Sequence, residues 1–177
     1  MIDPRHYAVK EVLRNGLAIS IRALHPDDGE RMVDAFGRLD SASVYTRFFS
    51  YKKELNERDL ETIRTLDFDT RVALVVTVEE AGKEVIIASS SYARTSDGKA
   101  EVAFVVEEDY HRLGIAGRLL RHLGHIAIQR GITVFVADVL AGNDGMLRVF
   151  RSVGWPIETK TEDGVIQVTL SITDSVV

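Results

Sequence analysis

The segment AEVAFVVEEDYHRLGIAGRLLRHLG, Ala100–Gly124, joins a buried strand to a helix through a glycine-bearing turn. Its first part is apolar after Glu101, which predicts a strand covered on both faces. Its last part predicts an amphipathic helix with an apolar side formed by Ile115, Leu119, Leu120, Leu123, Ile126 and Ala127. The other side of that helix is predicted to be solvated and carries Arg118, Arg121, His122 and Arg130.

The turn, HRLGIAG, brings Gly114, Ala116 and Gly117 to the entrance of the helix. Small residues let a ligand approach the backbone, and the first amides of a helix have no intrahelical partner. With the helix dipole they form an anion site suited to a pyrophosphate, to which Arg112 and Arg118 would add charge. The alternative is an ordinary tight turn whose glycines serve packing. The sequence lacks the Gly-Lys-Ser/Thr of a P-loop and the third glycine of a dinucleotide fingerprint.

Hydrophobic spacing in the rest of the chain predicts a mixed α/β fold. Pro26 and the acidic residues after it suit a helix start, and Asn56 is predicted to cap a helix over Glu57–Leu66. One or two helices are expected within residues 40–67, and a short helix within 143–154. Strands are predicted over Gly16–Leu24, Arg71–Glu80, Lys83–Arg94, residues 133–140 and, as a pair, residues 156–172. This order predicts one mixed central sheet flanked by helices, in a single domain over residues 1–177.

The composition excludes several classes of function. The 177 residues contain 27 acidic and 22 basic side chains, and the net charge of -5 argues against general affinity for nucleic acid or anionic membranes. The absence of cysteine excludes disulfides, thiolate metal sites and a cysteine nucleophile. No signal peptide and no run of 18 apolar residues is found, so we expect a cytoplasmic protein. His122 and His125 are expected on a solvated helix face rather than at a metal, and no metal is expected.

The order of motifs resembles the GNAT superfamily of acyl-CoA-dependent N-acyltransferases. The resemblance rests on AEVAFVV (Ala100–Val106), HRLGIAGRLL (His111–Leu120) and FVADVLAGNDGMLRVFRSVGW (Phe135–Trp155). It extends over nearly the whole chain, from residue 19 onward. RFFSYKKELNERDLE (Arg47–Glu61) and DTRVALVVTV (Asp69–Val78) are similar to the acetyltransferase domain of bacterial protein-lysine acetyltransferases.

The resemblance implies that acetyl-CoA is the co-substrate and that it lies across the splayed middle of the sheet. Strand backbone at Phe104, Val105 and Val106 would hold the pantetheine arm and polarise the thioester carbonyl. The backbone of the turn would bind the pyrophosphate through His111, Arg112, Leu113, Gly114, Ile115, Ala116, Gly117 and Arg118. Asn143 matches an asparagine that contacts the cofactor in the family, and it is equally well explained as a plain helix N-cap.

The resemblance makes Glu101 the general base. An amine attacks a thioester only in its neutral form, and a carboxylate nearby can take the ammonium proton directly or through one water. Partial desolvation at the start of a buried strand would strengthen this base. The alternative is an exposed glutamate paired with an arginine.

Three residues depart from the family pattern. His111 and Arg112 differ from the usual turn residues but keep the backbone amides. Phe150 replaces a tyrosine that in many members protonates the leaving thiolate, so the thiolate would leave unprotonated or another group would act. The sequence therefore predicts acetyl transfer to an amine by direct attack, with a protein lysine as the first choice of acceptor. A small amine is the alternative acceptor, and a non-catalytic acyl-CoA-binding module is the alternative function. The oligomeric state is left open.

Overall fold

The computed structural model describes residues 3–38, 55–106 and 113–173. Within these ranges a short 3-10 turn, Pro4–His6, precedes the first strand. The strands are β1 (Ala8–Val12), β2 (Ala18–Ala23), β3 (Arg71–Glu80), β4 (Lys83–Ser96), β5 (Lys99–Val106), β6 (Val134–Leu140), β7 (Ile157–Glu162) and β8 (Val165–Ser171). The helices are α1 (Gly29–Gly37), α2 (Glu57–Arg64), α3 (Ile115–Ile128) and α4 (Asp144–Ser152).

The strands form one sheet of eight in the order β1-β2-β3-β4-β5-β6-β8-β7. Neighbouring strands are antiparallel except β5 and β6, which are parallel because α3 lies between them in the chain. The β3–β4 hairpin turns at Ala81 and Gly82, both with positive φ, as a tight turn with right-handed twist requires. The mixed sheet flanked by helices that the sequence predicts is therefore confirmed.

The two faces of the sheet bury separate apolar clusters. On one face α3 packs on the sheet, and its Leu119, Leu120 and Leu123 are fully buried against a large cluster that includes Phe104 and Phe135. On the other face α1 and α2 cover a smaller cluster around Met32, Phe36, Ile63, Val75 and Ile86. Since side chains alternate along a strand, consecutive residues of β5 point to different clusters.

The sequence predicted most of these elements and missed one. The strand over Arg71–Glu80 has the predicted bounds, and Asn56 caps α2 in a capping box with Asp59. The predicted helix end at Leu66 is too long, because Thr65 already has non-helical backbone angles. Strand β1 was not predicted. Any helix in residues 39–54 lies outside the described residues.

Candidate active site

The sheet splits between β5 and β6, and this split creates the candidate site. The two strands pair over only three residues, Lys99–Glu101 with Val134–Val136. Beyond that point β5 continues to Val106 and β6 to Leu140, and in the structure as described no further pairs join them. A wedge therefore opens towards the C-terminal end of β5, with strand backbone along its side.

The glycine turn lies at the open end of this wedge. Gly114 is the N-cap of α3 with φ of 82°, a left-handed conformation that favours glycine, and it places no side chain over the helix start. The amide of Arg118 donates to the carbonyl of Gly114 at 3.1 Å, so the helix ladder begins there. The amides of Ile115, Ala116 and Gly117 precede it and have the geometry of an anion site.

The side chain of Arg118, which was expected to add charge to this turn, is paired with strand β1. Its Nη1 donates to Oε1 of Glu11, and its Nη2 lies 3.5 Å from the carbonyl oxygen of Val12. A carboxylate on β1 therefore already pairs with this guanidinium, and its contribution to the turn stays a prediction. The sequence could not show this pairing, since β1 was not predicted.

Glu101 sits at the point where the sheet splits, as the last residue of β5 that pairs with β6. Its side chain is exposed, between the buried Ala100 and Val102. The expected partial desolvation is wrong, because alternation turns Glu101 away from α3 to the face that carries α1 and α2. An exposed carboxylate at the closed end of the wedge is open to an approaching amine.

The three residues predicted to contact the pantetheine arm lie on the part of β5 that pairs with β4 but, in the structure as described, not with β6. Phe104 is buried on the α3 face, where its ring makes an edge contact with Phe150 at 6.0 Å between centroids. Val105 points to the other face and lines a mostly apolar recess below α1. Val106 is half-buried at the end of the strand. Phe150 itself is 1 % exposed, so the residue at the position of the family's tyrosine is a core side chain.

Asn143 is the N-cap of α4. Its side-chain Oδ1 accepts a hydrogen bond from the amide of Met146 at 3.2 Å, which confirms the capping interpretation. The helix follows β6, the strand that lies across the wedge from β5. A contact between Asn143 and a cofactor is compatible with this position and stays a prediction.

The sequence missed a buried polar network beside the site. His122 is 3 % exposed, so its placement on a solvated helix face is wrong. Its Nε2 lies 2.5 Å from Oε2 of Glu11, and its Nδ1 is hydrogen bonded to the hydroxyl of Tyr7. Glu11 joins His122 to Arg118, and the N-terminal hairpin is tied to α3. No carboxylate lies near the histidine in sequence, and only an assignment of β1 to the sheet edge would have revealed the contact.

Burial and hydrogen bonding shift the pKa values of the three titratable groups His122, Glu11 and Tyr7 in this network. Burial lowers the pKa of His122, and this outweighs the opposing effect of Glu11. Burial alone would raise the pKa of Glu11, but hydrogen bonds from Arg118 and His122 outweigh it and lower the pKa. Burial and the charge of Glu11 raise the pKa of Tyr7 to about 12. A neutral His122 that donates to Glu11 and accepts from Tyr7 satisfies all three groups.

Two predicted binding residues, His111 and Arg112, lie outside the described residues. Among the residues that are described, no group of three or more His, Cys, Asp or Glu side chains could hold a metal ion. A helix long and apolar enough to cross a membrane is likewise not found in those ranges.

A model of the acetyltransferase (GNAT) family matches residues 40–155 of the chain, which is most of its length. The chain belongs to this family. The matched region contains the split sheet, the glycine turn and the helix that Asn143 caps. The chain is therefore a GNAT acetyltransferase, as the resemblance implied.

Two acetyltransferases and one solved structure are similar over most of this GNAT chain. Acetyltransferase PA5475 of Pseudomonas aeruginosa is 29 % identical over 154 residues, which cover 86 % of this chain and 83 % of that protein. Acetyltransferase Pat of Mycolicibacterium smegmatis is 28 % identical over 162 residues; these cover 90 % of this chain but only 47 % of that protein. The crystal structure of the GNAT domain of S. lividans PAT superposes with a TM-score of 0.83 at 32 % identity, over 93 % of this chain and 96 % of that domain.

Proposed function

We propose that this GNAT acetyltransferase transfers the acetyl group of acetyl-CoA to a lysine side chain of a protein, by direct attack of the amine. The observation that carries the proposal is the position of Glu101, where the paired part of β5 and β6 ends and the wedge begins. The chain would act in the cytoplasm as a single domain. Its lack of cysteine accords with a reducing compartment.

The wedge and the glycine turn fit acetyl-CoA. The amides of Ile115, Ala116 and Gly117 would bind its diphosphate, and β5 backbone at Phe104–Val106 would hold the pantetheine arm. The turn leaves room: among the described residues, a Cβ added to Gly114 would meet an Arg14 side-chain atom at 3.9 Å and nothing nearer. When bound, acetyl-CoA supplies the thioester whose C–S bond breaks as the new C–N bond forms.

Glu101 would accept the proton that the acceptor ammonium must lose before it attacks. The exposed carboxylate can reach this proton directly or through one water, and a positioned base contributes about 10²–10⁴-fold to the rate. The backbone dipoles of β5 would stabilise the negative charge that develops on the carbonyl oxygen. Since Phe150 has no proton to donate, the thiol sulfur would leave as the thiolate, which its modest pKa allows.

A protein lysine is favoured as the acceptor by two observations. The matched solved structure is the GNAT domain of a protein named PAT, and a second relative is named Pat. In addition, Glu101 is exposed rather than enclosed in a pocket, so a side chain on a protein surface can reach it. A small amine is the alternative acceptor, and it would use the same base.

The experiment compares the wild type with Glu101→Gln in acetyl-CoA binding and in thiol release on a panel of lysine-bearing proteins and small amines. We expect the variant to bind acetyl-CoA with near-normal affinity and to lose about 100-fold or more in kcat/KM. Glu158→Gln, at an exposed glutamate of β7, is the matched control and should keep full activity.

The outcomes separate the candidate functions. Release on proteins but not on small amines supports the lysine acceptor, and the reverse result replaces it with a small amine. Binding without release on any acceptor would favour an acyl-CoA-binding module, for which the buried Phe150 is the structural argument. Full activity of Glu101→Gln would remove Glu101 from the mechanism.

A further inference from the structure

The sheet face that carries Glu101 is open around this residue. The apolar cluster beneath α1 and α2 takes its sheet residues from β3 and β4 and from Leu24, next to β2. Farther along the sheet, the same face carries the exposed Glu101 of β5 and an exposed aspartate of β6, Asp138. Because α3 packs on the opposite face, the open face is the side from which an acceptor can approach Glu101.

The strand register places Asp138 on the same face as Glu101. Glu101 is paired with Val136 of β6, and paired residues of neighbouring strands point to the same side of a sheet. Asp138 follows Val136 by two positions and therefore shares its side. The flanking Ala137 and Val139 are buried in the large cluster under α3, as this alternation requires.

Asp138 lies across the wedge from β5, beyond the last pair that joins the two strands. Two residues along a strand span about 6.6 Å and neighbouring strands are about 4.8 Å apart, so the Cα atoms of Glu101 and Asp138 are about 8 Å or more apart. Neither carboxylate forms an ion pair with another residue in the described part of the chain. Two exposed negative charges thus flank the wedge on its open face.

The neighbours of Asp138 in the sheet leave its negative charge available. Its row continues with Gln167 of β8 and Lys160 of β7. Gln167 carries no charge, and Lys160 is two strands away, about 10 Å at the usual strand spacing. This separation is about one Debye length at 0.1 M salt, so the lysine offsets the charge of Asp138 only weakly.

The spacing of the two carboxylates corresponds to alternate side chains of an extended peptide. Residues two positions apart in an extended chain point to the same side, with Cα atoms about 6.6 Å apart. The long, flexible stems of lysine and arginine make up the remaining difference. A peptide that brings the ammonium of one lysine to Glu101 would therefore bring a cation two positions away to Asp138.

We propose that Asp138 determines acceptor specificity by binding a second cationic side chain, so that the preferred acceptor is a lysine with an arginine or lysine two positions away in an extended segment. This inference rests on the proposed function, and it narrows the acceptor from any protein lysine to one in a basic segment. Glu101 keeps the role of base, and Asp138 contacts the acceptor away from the reacting amine.

The test measures kcat/KM for thiol release by the full chain, with acetyl-CoA and matched peptides that have blocked N-termini and one lysine each. The first peptide has arginine two positions from the lysine, the second has glutamine there, and the third has the arginine at its far end. Arginine supplies the charge without a second acceptor amine. We expect the wild type to use the first peptide about three- to five-fold better than the other two, towards the upper end for an exposed ion pair.

Variants of Asp138 test whether this residue causes the preference. Asp138→Asn should use the first and second peptides equally. Asp138→Lys should prefer a peptide with glutamate two positions from the lysine over the first peptide, because the charge has been reversed. Glu158→Gln removes a negative charge from the same face on β7 and is the matched control, which should keep the wild-type preference.

The outcomes distinguish this inference from the proposed function. A preference that persists in Asp138→Asn, or that Glu158→Gln also abolishes, would overturn the role of Asp138 and leave lysine acetylation intact. Equal use of all three peptides by the wild type would have the same meaning. Thiol release by the wild type with small amines, but with no lysine peptide, would refute the proposed lysine acceptor itself.

Discussion

Nε2 of His122 lies 2.5 Å from Oε2 of Glu11, although 111 positions separate the two residues in the chain. The contact links the edge strand β1 to the central helix α3 and is buried on the histidine side. The hydroxyl of Tyr7 is hydrogen bonded to the other ring nitrogen of the histidine, Nδ1. The stability of the hairpin on α3 therefore depends on a histidine that is held neutral.

This network predicts that stability falls as the pH is lowered through the range in which free histidine gains its proton. Because burial lowers the pKa of His122 below its ordinary value of 6.5, the unfolded chain binds the proton before the folded protein does. The stabilisation is complete above pH 6.5 and is lost progressively as the pH falls towards the folded pKa. The slope from one such group is at most about 1.4 kcal/mol per pH unit.

Urea unfolding between about pH 8 and pH 5 measures this slope. His122→Gln keeps a donor near Glu11 but has no such titration, so its unfolding free energy should vary less with pH than that of the wild type. His6→Gln, at an exposed histidine, controls for the loss of an imidazole elsewhere in the chain. An equally steep fall in His122→Gln would contradict the burial argument.

A second prediction concerns the ion pair between Arg22 and Asp28. Both are buried, with 9 % and 0 % exposure, and the two side chains are joined by hydrogen bonds of 2.8 and 2.9 Å. Burial alone would raise the pKa of Asp28, but the hydrogen bonds from Arg22 and the His25 amide outweigh it and lower the pKa. Asp28→Asn removes the fully buried one of the two carboxylates that compensate the Arg22 guanidinium and should cost about 3–5 kcal/mol of unfolding free energy.

The neighbouring residue provides a matched control. Asp27 is exposed, so Asp27→Asn makes the same chemical change one position away and should alter the unfolding free energy by less than about 0.5 kcal/mol. Chemical denaturation of both variants at neutral pH measures the two changes in unfolding free energy. A cost for Asp28→Asn no larger than that for Asp27→Asn would show that Glu84, which also contacts Arg22 at 2.6 Å, carries the compensation alone.

A third prediction tests the packing of α3. A Cβ on Gly124 would lie 2.3 Å from a ring atom of Trp155, closer than any real contact. Gly124→Ala should therefore lose about 1–3 kcal/mol of stability through overpacking, although alanine is the better helix former. A Cβ on Gly37 would meet no atom of the described residues within 4 Å, and its φ is ordinary, so Gly37→Ala should be neutral or stabilising by up to about 1 kcal/mol. Thermal melts measure both variants. If the two melting temperatures shift in the same direction relative to the wild type, the packing argument is refuted.

The sequence predicts those parts of the molecule that depend on local pattern. The hairpin of β3 and β4, the cap of α2 and the glycine turn all follow from residue types within a few positions of each other. The resemblance to the GNAT family also rests on such local motifs and their order. These features were predicted because hydrophobic period and cap chemistry act over short distances.

The features that the sequence did not predict depend on contacts between distant segments of the chain. Strand β1 has alternating half-buried residues at a sheet edge, and it is hidden in a polar stretch of sequence. Without it neither the pairing of Arg118 with Glu11 nor the burial of His122 can be anticipated. The exposure of Glu101 depends on the direction of the strand pleat, which a short apolar run does not fix.

The last prediction separates the two roles of Asn143. Its Oδ1 caps α4 through the amide of Met146, and the family resemblance adds a contact with the cofactor. Serine also caps helices well but lacks the amide group, whereas alanine does neither. Asn143→Ser should therefore keep the wild-type stability, and Asn143→Ala should lose about 1 kcal/mol.

Acetyl-CoA binding then decides the second role of this side chain. If Asn143 contacts the cofactor, the serine variant, although as stable as the wild type, should bind acetyl-CoA about five- to ten-fold more weakly, as expected for one lost neutral hydrogen bond. Normal binding by Asn143→Ser, with weakened binding by Asn143→Ala alone, would instead mean that the residue acts through the helix end it caps. Calorimetric titration of both variants, with their melting temperatures measured on the same samples, distinguishes the two results.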